Sequence, residues 1–490
     1  MSGEVPGEYR FGARMTDVEA MMWGLERQDP IYRSTMTLLV SFEGRPDQDA
    51  VRDRLERVST RIPRLRDRVV AGLMPMVAPR WEPDPAFDVA NHVRRITMPG
   101  SCSASDLLSA AGALAVEPLD PRRPPWRLSF IAGETGDGEG LVLDLHHSYT
   151  DGLGGVRLAL ELFDLELHPA DRAAASLPPR SIRAETVRAE TVRAGVCGDA
   201  GVLGDVGILG DVGILGDIGF GVRHSAQLVG RVLPWAARAL DQAVRDPAQP
   251  AAATFEVLRT LREQLGPDLR RRGRLMSRRS AGARLGAIDL PLDGLRRAAR
   301  QTGGTVNDVF LAGVLGGLGA YHRKHGSDRP SVRLAMPVST RSDEASGAMH
   351  NQVLGVLVPG PLNLSDPAER IRLMHEIAAD ARARPVFGLL EQVTGLGLGV
   401  PGIHRAVARG LRAVDVVASN LPGPPVALFL AGARLERMVP FGPREGAALN
   451  VTLLSYLDGV HVGVNMDPAA TPDTGTLLDC LAAGFEEVLA

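Results

Sequence analysis

The side chains best suited to chemistry fall in one stretch, Leu143-Asp144-Leu145-His146-His147-Ser148-Tyr149-Thr150-Asp151-Gly152. An apolar run ends in two histidines, and a Gly-rich turn follows. Imidazole titrates near pH 6.5, so a histidine can remove a proton from an alcohol or thiol and return it to a leaving group. A histidine at a strand end projects into a cleft while its backbone stays fixed. Adjacent strand residues point to opposite faces, so one of His146 and His147 faces a substrate and the other is structural. Asp151, four residues on, is placed to hold the turn through an ion pair, and Gly152 permits a tight backbone there. A pair of core histidines before an ordinary Asp-Gly turn has the same spelling. A metal site would need a third ligand at a regular spacing, and none follows.

The elements that must carry these residues are legible in outline. Leu141–Leu145 reads as the strand that delivers the histidines, and Leu153–Leu165 as the helix after the turn. Upstream, Ser34–Phe42 is a strand candidate and Asp47–Arg61 has helical spacing. In the last third, Thr305 caps a helix through about Tyr321, and Val332–Met336 and Val353–Val358 read as strands. Asp366, Pro367 and Glu369 supply a cap, a first-turn proline and a reciprocal acid. Leu449–Tyr456 and Val460–Asn465 alternate in period two around Leu457-Asp458-Gly459, a hairpin signal. Asp473 opens a C-terminal helix. Two α/β halves with a long connector are the simplest architecture: an N-terminal unit over residues 1–170, a connector over 171–285 and a C-terminal unit over 286–490.

The connector differs in composition. Residues 183–193 repeat Arg-Ala-Glu-Thr-Val, and residues 201–219 repeat a unit close to Val-Gly-Ile-Leu-Gly-Asp. About three such units are too few to bury a β-helix core, and the glycines disfavour a helix; a low-complexity linker or a weakly amphipathic lipid-contacting segment fits. From Arg259 to Arg284 there are nine arginines against Glu263 and Asp268. That cluster reads either as a solvated connector or as a patch for lipid or cofactor phosphates.

Composition excludes several alternatives. The chain has 490 residues, a formal charge of −3 and 55 basic residues, of which Lys324 is the single lysine. It lies in Tyr-His-Arg-Lys-His, so there is no P-loop, and a Schiff-base enzyme would depend on that one exposed residue. A near-neutral balance with 4% aromatics disfavours nucleic-acid binding. Three separated cysteines (Cys102, Cys197, Cys480) give neither a metal spacing nor a disulfide framework, which suggests a reducing compartment. The N-terminus lacks a signal-peptide pattern, and no apolar run reaches the roughly 18–20 residues of a membrane span. The expectation is a cytoplasmic protein. There is no Gly-x-Ser-x-Gly elbow and no His-Glu-x-x-His. The match Gly397-Leu-Gly399-Val-Pro-Gly402 lacks a preceding strand and is treated as chance.

His-His-x-x-x-Asp-Gly is the signature of the CoA-dependent acyltransferase superfamily, shared with peptide-synthetase condensation domains. Beyond it, the chain resembles the bacterial wax ester synthase/diacylglycerol acyltransferase family along nearly its whole length. Met21-Met-Trp-Gly-Leu-Glu26-Arg is similar to that family's opening segment, and Pro124-Pro-Trp126 to its Pro-Leu-Trp motif. Asn307-Asp308, Met336-Pro-Val-Ser-Thr-Arg341 with Asn351-Gln352, and Ser419-Asn420-Leu-Pro-Gly-Pro424 resemble three further blocks, in order. Three departures bear on acceptor preference and level of activity: Pro125 for leucine, His350 before Asn351, and Asp29-Pro-Ile-Tyr-Arg after Glu26.

The resemblance implies two mixed-sheet subdomains of a common fold, with a channel between them. Its substrates would be acyl-CoA and either diacylglycerol or a long-chain alcohol, with acyl-CoA as co-substrate and neither a cofactor nor a metal. It implies peripheral association with a membrane or lipid inclusion; Val426–Ala431 and the 201–219 repeats are candidate contacts, and burial in the core explains the first equally well. His147 would be the general base, His146 its support, and Asp151 a loop-fixing residue paired with an arginine such as Arg341. Asn307 would be an oxyanion donor or simply part of a helix start, and Asp308 a capping residue. Glu26, Trp126, Asp308, Arg341, Ser419 and Asn420 are carried as substrate-site candidates; a surface acid and a core aromatic are equally open for Glu26 and Trp126. Two other functions fit the motif: an acyltransferase using a carrier-bound acyl group with a polyketide or amine acceptor, and a catalytically silent lipid-coat protein.

Overall fold

The computed structural model describes residues 11–72, 77–134, 139–165, 275–339, 353–383 and 401–490. The repeats at 183–219, the part of the arginine cluster before residue 275, Arg341, His350 and Asn351-Gln352 lie outside the described residues. Among those described, two six-stranded mixed sheets carry the chain.

The first half starts with α1 (Asp17–Gln28), capped by Thr16 and Glu19 in a reciprocal box, an arrangement in which the cap alone contributes about 1 kcal/mol. Next come β1 (Thr35–Glu43), α2 (Gln48–Arg61, capped by Asp47), the small hairpin β2 (Asp67–Val70) and β3 (Arg80–Pro83), β4 (Val93–Met98) and α3 (Ala104–Ala115). β5 (Trp126–Gly133), β6 (Glu139–His146) and α4 (Gly152–Leu160) complete it. α4 ends earlier than sequence spacing suggests. The Arg54 guanidinium takes the Glu161 and Phe163 carbonyls and pairs with Asp164 at 2.8 Å, so the chain turns away there.

The second half holds β7 (Arg284–Pro291), α5 (Leu292–Thr302), α6 (Val306–Lys324), β8 (Ser331–Ser339), β9 (Val353–Pro361), α7 (Pro367–Ala383) and α8 (Pro401–Arg412). They are followed by β10 (Val416–Leu421), β11 (Phe429–Leu430), β12 (Ala433–Phe441), β13 (Leu449–Tyr456), β14 (Gly459–Met466) and α9 (Thr474–Leu489). Thr305 and Asp308 form the capping box of α6, and Asp473 caps α9. The β13–β14 hairpin closes with Tyr456 opposite Gly459 and Leu457 at φ +52°. Both strands are buried on both faces, because helices cover one side and the first sheet the other.

The sheet orders are β11-β12-β1-β6-β5-β4 and β7-β14-β13-β10-β8-β9. Thus β11 and β12, from the C-terminal half, complete the first sheet. β1 is flanked by β6 and β12, both antiparallel to it: Thr35 faces His146 and Thr37 faces Phe441. Two strands antiparallel to the same neighbour run in the same direction, so β6 and β12 both end at the start of β1. The sheets meet closely where a Cβ on Gly463 would stand 1.8 Å from the Pro440 carbonyl oxygen. Tyr456 of the second sheet donates its hydroxyl to Leu435 O at 3.1 Å in the first.

Against the second sheet, α6 and α9 pack backbone to backbone. A Cβ on Gly317 would lie 2.5 Å from Leu481 Cα, and one on Gly484 2.3 Å from Gly317 N. Helix propensity alone favours alanine over glycine by about 1 kcal/mol. Overpacking costs roughly 1–3 kcal/mol, toward the upper end here because the obstacle is backbone. Gly317→Ala is therefore expected to lower the unfolding free energy by about 1–2 kcal/mol on balance. Urea denaturation checks this; an unchanged or higher midpoint would show that the helices do not touch as described.

Candidate active site

β6 is a fully paired strand, and its end is pinned. His146 N donates to Pro125 O at 3.1 Å and His147 N donates to Ser34 O at 2.7 Å. The backbone then turns into α4, where Asp151 is the N-cap and its Oδ1 accepts from Gly154 N at 2.9 Å. Asp151 is fully buried. The turn-fixing role expected of it is met by this cap; the suggested partner Arg341 lies outside the described residues. Gly152 is needed for space, since a Cβ there would meet Leu421 Cδ2 at 2.8 Å.

The two histidines separate as the strand geometry requires. His146 is buried, and its Nδ1 accepts from Ser148 N at 3.0 Å. In the neutral ring the proton therefore sits on Nε2, which lies 3.0 Å from Glu26 Oε2. Trp23 abuts the ring edge-on at 4.9 Å. Glu26 also accepts from Ser34 N at 3.0 Å and lies 3.6 Å from Arg33. Burial alone would raise the Glu26 carboxyl. The hydrogen bond and charge of His146, the Ser34 amide and Arg33 outweigh it and hold the carboxyl below its ordinary range. Glu26 is thus neither a surface acid nor a cavity wall: it fixes His146 from behind.

His147 faces the other way, into a cavity of about 390 Å³ between the two halves. The walls are mostly apolar. α1 contributes Met21, Met22 and Leu25; β1 contributes Met36; α4 contributes Gly152, Gly155 and Val156; β10 contributes Ser419, Asn420 and Leu421. Ser419 and Asn420 thus meet His147 and Gly152 in one space, although they lie far away in sequence. A ligand with a long hydrocarbon portion and one reactive polar centre suits this lining.

Three candidates are elsewhere. Trp126 does not line this cavity: it is 4% exposed, stacks on His92 at 4.3 Å, and its Nε1 donates to Leu65 O at 2.8 Å. It is a core aromatic whose polar edge is satisfied, as buried tryptophan requires. Asp308 is likewise structural. It caps α6 through Thr305 and accepts from His375 Nδ1 at 2.8 Å. Asn307 sits in the first turn of α6 and is not among the lining residues, so its helix-start reading is the one consistent with this cavity.

Sequence reasoning missed Ser34 and Glu445. Ser34 Oγ donates to Glu445 Oε1 at 2.8 Å, and Glu445 lines the cavity. Burial raises the Glu445 carboxyl, His147 and the Ser34 hydroxyl oppose this, and Glu26 adds to it. The only local signal was an acid inside the Gly/Pro-punctuated run Pro440-Phe-Gly-Pro-Arg-Glu445-Gly. Of the arginine cluster, Arg278, Arg279 and Arg284 are described; the Arg279 guanidinium donates to the Gly446, Arg412 and Val414 carbonyls, so it holds loops rather than phosphate.

Glu26 has a depressed carboxyl in the fold, relative to the ordinary value of 4.5. Its contribution to stability is therefore present at neutral pH and is lost as pH falls below that value. Glu26→Gln lacks this contribution. The stability gap between wild type and Glu26→Gln, measured by urea denaturation, is expected to shrink as pH falls below 4.5. A gap that widens with acid contradicts the pairing.

Residues 15–310 match the wax ester synthase/diacylglycerol acyltransferase catalytic domain, and residues 349–488 match the C-terminal domain of the same proteins. A Mycobacterium tuberculosis protein named "Putative diacyglycerol O-acyltransferase" is 31% identical over 498 aligned positions, covering 100% of this chain and 94% of its own. In fold, the chain is similar to the wax ester synthase/diacylglycerol acyltransferase of Marinobacter aquaeolei, with a TM-score of 0.62 at 20% identity over 97% of this chain and 98% of that one. It is also similar to the first condensation domain of the calcium-dependent antibiotic synthetase, with a TM-score of 0.58 at 15% identity, covering 99% and 98%. With both domain matches in order and a relative aligned from end to end, the chain belongs to the wax ester synthase/diacylglycerol acyltransferase family.

Proposed function

We propose that the protein transfers a fatty acyl group from acyl-CoA to the hydroxyl of diacylglycerol or a long-chain alcohol, forming triacylglycerol or wax ester. The observation that carries this reading is the placement of His147: a histidine with a pinned backbone, presented to an apolar cavity between two sheets. His147 takes the proton as the acceptor's O–H bond breaks. The oxygen attacks the thioester carbonyl, a C–O bond forms, and the C–S bond breaks. The imidazolium returns the proton to the departing thiolate, which leaves as CoA. The balance closes without a covalent enzyme intermediate, metal or redox partner. Apolar walls serve twice: they hold the alkyl chain, and they exclude the water that would otherwise hydrolyse the thioester.

Ser419 and Asn420 are assigned to contact the reacting ends of the substrates, since both reach the cavity beside Gly152. The acceptor is drawn from a membrane or lipid-inclusion surface by peripheral contact. Among the described residues no helix is long and apolar enough to cross a membrane. Within Val426–Ala431, Leu428 and Leu430 are buried while Val426 is 47% exposed, so only the leading end of that stretch is available for lipid.

The test is release of CoA thiol from acyl-CoA by purified protein, with diacylglycerol, long-chain alcohol or amine as acceptor. Release with the hydroxyl acceptors is expected, and none with the amine. His147→Ala should lower turnover by about 10²–10⁴-fold while circular dichroism and melting temperature stay near wild type. Near-normal turnover by folded His147→Ala would remove the base assignment.

A further inference from the structure

Glu445 has a geometry that the proposed chemistry leaves unused. It lines the same cavity as His147, yet it arrives on a different strand, at the exit of β12. Ser34 ties the two together: its carbonyl accepts from His147 N at 2.7 Å, and its hydroxyl donates to Glu445 Oε1 at 2.8 Å. The same serine donates its amide to Glu26, the partner of His146. Ser34 thus touches both carboxylates, Glu26 through its amide and Glu445 through its hydroxyl, and holds the His147 backbone through its carbonyl.

The backbone at Glu445 is held at a cost. Its φ is +48°, in the left-handed region that a glutamate rarely adopts. The segment is clamped into that shape. Asn450 Nδ2 donates to Pro443 O at 2.8 Å, Arg279 Nε donates to Gly446 O at 2.7 Å, and Gly446 follows at φ +91° against the Tyr32 ring. Glycine or asparagine would fit the conformation with less strain. A strained non-glycine residue in a cavity wall points to a side chain retained for its chemistry.

We propose that Glu445 is the positioning carboxylate of His147: it orients the imidazole toward the acceptor hydroxyl and pairs with the imidazolium while the acceptor's proton is held. The inference rests on His147 being the base. No proton moves to Glu445; it remains the counter-charge throughout. The surrounding cations have other acceptors. Arg444 pairs with Asp467 at 3.1 Å, Arg33 lies beside Glu26, Arg412 pairs with Asp29 at 2.6 Å, and Arg279 is spent on carbonyls. His146 is engaged by Glu26, and the Tyr32 hydroxyl donates to Ala408 O. Of the charges acting on Glu445, His147 favours its ionised form and Glu26 opposes it. Forming the imidazolium therefore relieves an unfavourable anion at the moment of reaction, which is stabilisation of the transition state over the ground state.

The experiment uses the full chain and its Glu445→Gln, Glu445→Asp and Glu445→Gly variants, with acyl-CoA and the best hydroxyl acceptor. A carboxylate favours the protonated ring, so its removal should move the acid limb of kcat/KM to lower pH, by about one unit. A kcat loss of about tenfold is expected with it, the equivalent of one pKa unit. Glu445→Asp, whose side chain tolerates the left-handed region, should keep the limb near wild type. Glu445→Gly relieves the backbone and should melt at or above the wild-type temperature while showing the same shifted limb. The titration midpoint of the His147 ring, followed by NMR and assigned with His147→Ala, gives the same readout where turnover is too slow. If the limb and the ring midpoint stay at wild-type pH in both Glu445→Gln and Glu445→Gly, the proposal is overturned, however much turnover falls. If His147→Ala itself turns over normally, the base assignment fails instead, and the two failures are distinguishable.

Discussion

Everything at the candidate site depends on the pairing of β1 with two antiparallel neighbours. β6 comes from the first half of the chain and β12 from the second, and both are hydrogen-bonded to β1 over most of its length. Because both run against β1, both must exit beside its first residues. His146 and His147 leave β6 there, and the segment to Glu445 leaves β12 there. Ser34, just before β1, is the backbone on which these exits converge. The register carries the chemistry: a one-residue slip of β12 would turn its buried face outward and carry Glu445 away from Ser34.

This arrangement also explains why a protein with two sheets encloses one cavity. The first sheet contains strands from both halves, so the halves cannot separate without breaking the β1–β12 ladder. Close contacts such as Gly463 against Pro440, and Tyr456 against Leu435, reinforce the junction. The cavity lies between the exit of β6 and β10 of the second sheet, and it takes its apolar wall from α1, α4 and β10. In such surroundings a charge pair is screened less than in water. The buried Glu26–His146 pair is therefore stronger than the same pair would be at the surface.

Much of the local structure was legible in the sequence. Caps and breakers are short-range physics, so Thr305, Asp366-Pro367 and Asp473 marked helix starts that the structure contains, and helical spacing marked the helix after Asp47. The Leu457-Asp458-Gly459 turn likewise identified its hairpin. The end of α4 is not legible locally, because Arg54, about a hundred residues away, captures the Glu161 and Phe163 carbonyls just past it. Trp126 and Asp308 were carried as substrate contacts on resemblance alone. The structure uses one as a core aromatic against His92 and the other as a helix cap against His375.

The sequence by itself determined the family, the motif that sets two adjacent histidines at a strand end, and the need for those two to face opposite ways. Those follow from residue types, motif order and the period of a strand, all of which are local. Only the tertiary structure decided which histidine faces the cavity, that Glu26 backs His146, and that Glu445 stands by Ser34. Those contacts join residues 120 and 411 positions apart. They exist only because β12 pairs with β1 across the whole chain, and no local pattern encodes such a pairing.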